Sequence, residues 1–309
     1  MHYLDIPAHE ARAIAKAETA PNVLKRTTIA LAGESLTFTL HEYEPAGTSG
    51  YYYQEKFAKK RIVLHFTAGY LGGDLTTLTK KDYHVSTPFV IGRNGAIVRL
   101  FSSALWSYHL GIKGTAYGPS GLEDKSSIAI EISNIGPLQE SGGKLLTIYK
   151  DAYCSLDDHE AYIKLDKPFR GYSYFAAYTD AQYDSIIILL RYLTTQYQIP
   201  RAFLPEEKRY LPSTDVINFP GIVSHVNYRE TGKWDIGPAF DWARVIDGVQ
   251  DQTFTPSALA PVARTRSLSS SMTEEDLDNL RGIHGDISEG SDGPEGDPGA
   301  PGFEEEDSL

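Results

Sequence analysis

The run Ser127-Ile128-Ala129-Ile130-Glu131-Ile132 reads as a β-strand that is apolar on both faces except at Glu131. Successive strand side chains point to opposite faces, so a strand of this kind sits inside a sheet covered on both sides. Arg61–Leu64 is a second short strand of the buried type, leading directly to His65. Phe89–Leu100 reads as strand, Asn94-Gly95 turn, strand, the strongest hairpin signal in the chain. Ala181–Tyr197 has helical periodicity through Ile186, Leu189, Leu190 and Leu193 and closes before Pro200. Strands interleaved with helices, with an internal hairpin and no internal repeat, predict an α/β fold: a mixed central β-sheet flanked by helices. Upstream, Asp5 and Pro7 open a helix over residues 7–19. Two β-rich runs, 27–31 and 35–40, flank Ala32-Gly33-Glu34. Together they predict an N-terminal helix-hairpin extension over residues 1–58, with the Gly/Ser/Pro patch 45–50 as a plausible boundary, and a main domain over 59–248.

Charge is distributed unevenly. The 309 residues carry a net −12, yet residues 251–309 alone hold fourteen acids and three arginines, leaving −1 for the first 250. A nearly neutral body has no broad basic footprint for nucleic acid. The segment 249–309 is acidic and rich in Gly, Pro and Ser, the composition of disorder, with Leu277, Leu280 and Ile283 hinting at one short amphipathic helix. Its Gly-rich stretch is too short for a collagen triple helix. The longest aliphatic run, Ile186–Leu190, stops at Arg191, so no membrane span is expected. The N-terminus has no apolar stretch behind a basic one, so no secretory leader is expected. Cys154 is the only cysteine, which excludes an internal disulfide framework and a multi-cysteine zinc cage. A metal site would draw on histidine and carboxylates.

Three places offer such groups. His65 ends its strand in Leu64-His65-Phe66-Thr67-Ala68-Gly69, where small residues leave the imidazole open to a cleft. Glu131 would be expensive to bury unpaired. The third place is the densest: His225, Lys233 and Asp235 fall within eleven residues, beside the Gly237-Pro238 turn. Singly, a strand-end histidine is more often structural, and a strand glutamate more often a salt-bridge partner. Jointly, two histidines and one carboxylate suit a catalytic zinc site with its fourth position left for water.

These residues resemble the zinc-dependent N-acetylmuramoyl-L-alanine amidases of the type-2 class, a group that includes phage lysozyme-type amidases and the peptidoglycan recognition proteins. Val63-Leu64-His65-Phe66-Thr67-Ala68 is similar to the family's first metal-ligand strand, and 85–97 in part to its hairpin. Ser107-Tyr108-His109-Leu110-Gly111 looks like a groove element, and Ile128–Asn134 like the strand that carries the catalytic glutamate. Thr179-Asp180-Ala181-Gln182-Tyr183 opens a similar helix, and Ser224-His225 with Lys233–Trp242 matches the closing motif. The resemblance covers roughly residues 60–245. It implies one zinc held by His65, His225 and Asp235, with Glu131 as general acid–base and Lys233 stabilising an oxyanion. It implies substrate contacts from Tyr108, His109 and Asn134. The implied reaction is hydrolysis of the amide between N-acetylmuramic acid and L-alanine in peptidoglycan or a muropeptide.

The chain departs from the family at several points. Pro88-Phe89 stands where His-Tyr is common, so a catalytic hairpin tyrosine is missing; His84 is a nearby substitute or a plain surface histidine. Ile236 replaces the usual proline. Residues 137–178 exceed a minimal member, and Tyr149, Tyr153, Tyr162, Tyr172, Tyr174 and Tyr178 either wall a groove or pack ordinarily. Two other functional readings stand beside the amidase: a non-catalytic peptidoglycan-binding module, and a cargo or interaction protein acting through its acidic tail on a carrier or secretion apparatus. Without a leader, the expected route to the wall is lysis as a phage lysin, injection, or non-classical export.

Overall fold

The computed structural model describes residues 3–19, 23–43 and 50–251 together with Phe254 and Pro256. Most of the acidic tail, and most of the 45–50 patch, lie outside the described residues. In chain order come α1 (Ile6–Thr19), β1 (Leu24–Ala30), β2 (Thr37–Tyr43), β3 (Arg61–Phe66) and α2 (Leu71–Leu78). The hairpin β4 (Phe89–Ile91) and β5 (Ile97–Arg99) precedes α3 (Leu122–Ser126) and β6 (Ser127–Ile132). Five short strands follow: β7 (Pro137–Ser141), β8 (Lys144–Leu146), β9 (Ala152–Ser155), β10 (Tyr162–Phe169) and β11 (Tyr172–Ala176). The chain then runs through α4 (Asp180–Tyr197), α5 (Glu206–Arg209), β12 (Gly221–Ser224) and α6 (Trp242–Gln250).

Seven strands form a mixed sheet in the order β1-β2-β5-β4-β6-β3-β12. β4, β6, β3 and β12 run parallel, and β3 is buried at every position, as a strand covered on both faces must be. The N-terminal hairpin pairs 24–30 against 37–43, and β2 then lies parallel to β5. The predicted extension therefore continues the central sheet. One face is covered by α4, whose Ile186, Leu189, Leu190 and Leu193 are fully buried. Thr179 caps this helix: its hydroxyl accepts from the Gln182 N–H while Gln182 Oε1 accepts from the Thr179 N–H, each at 3.1 Å.

Residues 137–176 form a separate antiparallel sheet, ordered β10-β11-β7-β8-β9. Its small core of Ile135, Leu138, Leu145, Tyr153 and Ala176 is joined by Ile6 from α1. Tyr153, Tyr162 and Tyr174 pack within this unit, and Tyr149 is exposed. Tyr172 and Tyr178 face the main body, against Trp234 and Phe240.

α1 buries Ile6, Glu10 and Ile14, one face at a spacing of four. The carboxylate on that face has a partner: Glu10 accepts from the Arg93 backbone N–H and from its guanidinium, which also donates to the Gly69 carbonyl at 2.9 Å. A second tie runs from the N-terminal hairpin turn, where Glu34 accepts from Arg191 at 2.8 Å and from Arg201 at 2.6 Å. Burial opposes the charge on Glu34, but the hydrogen bonds from Arg201 and Arg191 prevail and hold its carboxyl below its usual 4.5. Its contribution to stability is present above that value and is lost as pH falls through the lowered one. Glu34→Ala strands the buried Arg191 and is expected to cost on the order of 3 kcal/mol at neutral pH, with a smaller difference from wild type in acid. Urea unfolding at both pH values checks this.

Candidate metal centre

The three central parallel strands end at one level. His65 of β3 pairs directly with Glu131 of β6, and Ser224 of β12 pairs with Leu64, so His225 leaves the sheet beside His65. Sites in parallel sheets form beyond the carboxyl ends of strands, and these residues stand there. Asp235 closes the group through the loop after His225, where the Val226 N–H donates to the Asp235 carbonyl at 2.8 Å.

His65 Nδ1 lies 2.9 Å from His225 Nδ1 and 3.2 Å from Asp235 Oδ2, and His225 Nδ1 lies 2.9 Å from the same oxygen. All three residues are buried. The opposite ring nitrogens decide what these atoms are. His225 Nε2 is 2.9 Å from the Leu110 carbonyl, which only accepts, so Nε2 carries a proton, and the tautomer this selects turns the Nδ1 lone pair toward Asp235. His65 Nε2 is 3.0 Å from His109 Nδ1, and His109 Nε2 is 2.9 Å from Ser127 Oγ, which donates to the Glu123 carbonyl at 2.6 Å. The chain of donors runs one way, from His65 through His109 and Ser127 to a carbonyl. Burial, then the neighbouring His225, push His65 down to about 4, so it is neutral near pH 7. Burial opposes ionisation of Asp235, yet its carboxyl stands well below the carboxylate range, with the Lys233 charge among the influences that lower it. Three acceptors thus converge in a dry interior, and a cation is the group that satisfies them together. The donor set fits a metal ion with an open position.

Glu131 stands in register with His65, and its Oε2 is buried with no hydrogen-bond partner. Burial, and next the charge of Asp235, raise its carboxyl well above the usual 4.5, while Lys233 opposes the rise. Lys233 is half-buried, and its charge acts on His65, Glu131 and Asp235.

The three residues expected to touch substrate are placed differently. The His109 side chain is only 5% exposed and stands behind His65. Both its nitrogens are used inside the protein. Asn134 is buried, with its amide donating to the Ala176 and Ala177 carbonyls and accepting from the Gly136 N–H, so it holds the entry to the second sheet. The half-buried Tyr108 ring packs edge-on to Trp106 and Tyr53. His84 stacks on Tyr53 at 4.3 Å and is remote from the three acceptors in its contacts. A cavity of about 630 Å³ is lined by Tyr178, Tyr210, Phe240 and Trp242, and none of the acceptors borders it. The sequence reading singled out neither Ser127 nor Asp124. Asp124 fixes the groove loop by accepting from the His109 and Leu110 N–H groups. Ser127 and Asp124 stand where a serine or aspartate is ordinary, and nothing in the pattern marks them.

A sequence profile of the N-acetylmuramoyl-L-alanine amidases matches residues 56–238, more than half of the chain. The chain belongs to this amidase family. Similar solved structures include the N-acetylmuramyl-L-alanine amidase AmiD from E. coli in complex with anhydro-N-acetylmuramic acid-L-Ala-D-gamma-Glu-L-Lys. AmiD is 21% identical over 72% of this chain and 65% of its own, with a TM-score of 0.41. A selenomethionine derivative of AmpD is 21% identical over 62% of this chain and 86% of its own, with a TM-score of 0.37. The endolysin amidase LysCS from Clostridium intestinale URNW is 15% identical over 67% and 91%, with a TM-score of 0.34. The chain thus spans less than two thirds of AmiD's length. Among curated protein sequences, nothing matches it.

The donor chain behind His65 sets the lone pair that a bound metal would meet. His109→Phe keeps a planar ring, somewhat larger, and removes the acceptor. Metal affinity, read by chelator competition, is expected to fall about 10–100-fold, whereas His225→Ala should abolish binding. Unchanged affinity in His109→Phe would assign that residue to packing alone.

Proposed function

We propose that the protein hydrolyses the amide between the lactyl group of N-acetylmuramic acid and the L-alanine of the stem peptide, with one zinc ion held by His65, His225 and Asp235. The observation that carries this reading is the unpaired Glu131 oxygen, in register with His65 and beside three convergent acceptors. Family membership supports the bond that is cut. Zinc, when bound, supplies a Lewis acid that polarises the scissile carbonyl and acidifies water. Glu131 takes the proton from the attacking water and returns it to the departing amine, and its raised affinity for a proton suits both steps. The Lys233 ammonium stabilises charge developing on the carbonyl oxygen. His109 holds the His65 ring in its metal-facing tautomer. A binding module without hydrolysis is disfavoured, because neither a metal ligand nor the acid–base carboxylate has been lost.

Elemental analysis should find one zinc per chain. Glu131→Gln, close in shape, should keep fold and zinc and lower kcat on a muropeptide about 10²–10⁴-fold. Near-native turnover would return Glu131 to a structural role.

We infer further that residues 251–309, net −11, address a basic carrier surface in a protein reaching the wall by lysis, injection or non-classical export. A tail this acidic is repelled by anionic wall polymers over about 8 Å at physiological salt. Full-length protein and a 1–250 truncation compared on peptidoglycan at low and high salt test this. Equal or faster hydrolysis by the truncation supports it; a truncation that folds and binds zinc but does not cleave overturns it.

A further inference from the structure

The second sheet reaches the loop between His225 and Asp235 through its β10–β11 turn. β10 and β11 are joined by Arg170-Gly171, with Phe169 and Tyr172 as paired neighbours and φ of 48° and 90° at the two turn residues. A two-residue turn of this kind favours asparagine, aspartate or glycine at its first position. The turn gives no reason for an arginine, but the loop opposite does. The Arg170 guanidinium donates to the carbonyls of Lys233 at 2.5 Å, Arg229 at 2.7 Å and Val226 at 3.3 Å. These carbonyls bracket the segment that joins His225 to Asp235 and carries Lys233. The contact is reciprocal, because Trp234 Nε1 donates to the Arg170 carbonyl at 3.3 Å and the Tyr172 ring stands edge-on to Trp234. Phe169 seals the far end: a Cβ on Gly237 would fall 2.6 Å from its ring. Burial lowers the pKa of the guanidinium from its ordinary value, and the carboxylates of Asp235 and Glu230 oppose that shift.

We propose that Arg170 is a positioning residue for the hydrolytic site: its planar fork fixes the 226–233 loop and thereby sets where Lys233 and Asp235 stand relative to the two histidines. The proposal rests on the zinc amidase reading for its activity readout, and on geometry alone for its loop readout. An arginine suits the task because five donors in one plane can span three carbonyls, whereas an ammonium is a point charge on a flexible stem.

The test uses the full chain with Arg170→Ala and Arg170→Lys, measured well below their melting temperatures. Amide hydrogen exchange over residues 226–235, followed without metal, should quicken at least tenfold in both variants. Zinc affinity should weaken about tenfold, and kcat on a muropeptide should fall at least tenfold with KM within threefold. Arg170→Lys should recover little of either. A melting temperature that drops while exchange, zinc affinity and kcat stay at wild-type values makes Arg170 merely structural and overturns the proposal. So does full rescue by lysine, which would make charge alone sufficient. A wild-type chain that binds no zinc sinks the amidase reading, and the exchange measurement then still decides the clamp. Should Arg170→Ala fail to fold, Trp234→Phe removes the reciprocal N–H while keeping an aromatic ring against Tyr172. Faster exchange over 226–235 in that variant supports the clamp, and unchanged exchange overturns it.

Discussion

The parallel ladder from β6 through β3 to β12 determines the rest of the site. Direct pairing puts His65 and Glu131 side by side on one face, and the Ser224–Leu64 pair delivers His225 to the same level. A slip of one residue would turn a whole strand over, exchanging the faces of every side chain on it. The apolar occupancy of both faces of β3 makes that slip costly, because Arg61 and His65 would trade environments with Ile62 and Leu64. Helix α4 and the sheet are therefore more than a scaffold. Their packing fixes the distance between a carboxylate and an imidazole.

Bringing acceptors together in a dry interior is unfavourable, and the protein meets the cost by turning every available donor outward. His225 donates to a main-chain carbonyl and His65 to a second imidazole, so neither ring can satisfy Asp235 while neutral. The arrangement is incomplete by design of its hydrogen bonds. It differs from an ordinary buried salt bridge such as Arg61 with Glu123, in which the charges answer each other directly.

Residues that break a local rule were the ones legible in sequence. Glu131 interrupts an apolar strand, His65 ends one, and His225, Lys233 and Asp235 crowd a short segment; the structure brings these together. The β4–β5 hairpin announced itself through Asn94-Gly95, and α4 through its periodicity and cap. The N-terminal hairpin was visible, but its parallel pairing with β5 was not, because that contact spans more than fifty residues and leaves no local trace. The second sheet was invisible for another reason. Its strands are three to eight residues long, and β10 has no buried position, so no alternation marks it. For His109 and Asn134 the motif locates the residue without saying which way its side chain faces, and the hydrogen bonds that hold them come from distant segments.

The Glu10–Arg93 pair bears on how this protein can be recombined. The region shared with the family begins at residue 56, whereas the counter-charge of Arg93 and the isoleucine that joins the second sheet's core lie in α1. Through Gly69, Arg93 also anchors the loop that follows His65. A chimera cut at the edge of family similarity would thus leave a guanidinium without its carboxylate under the metal-side loop and a gap in a neighbouring core. The piece that can be exchanged between relatives as a working part starts at the first helix, some fifty residues before the kinship becomes recognisable.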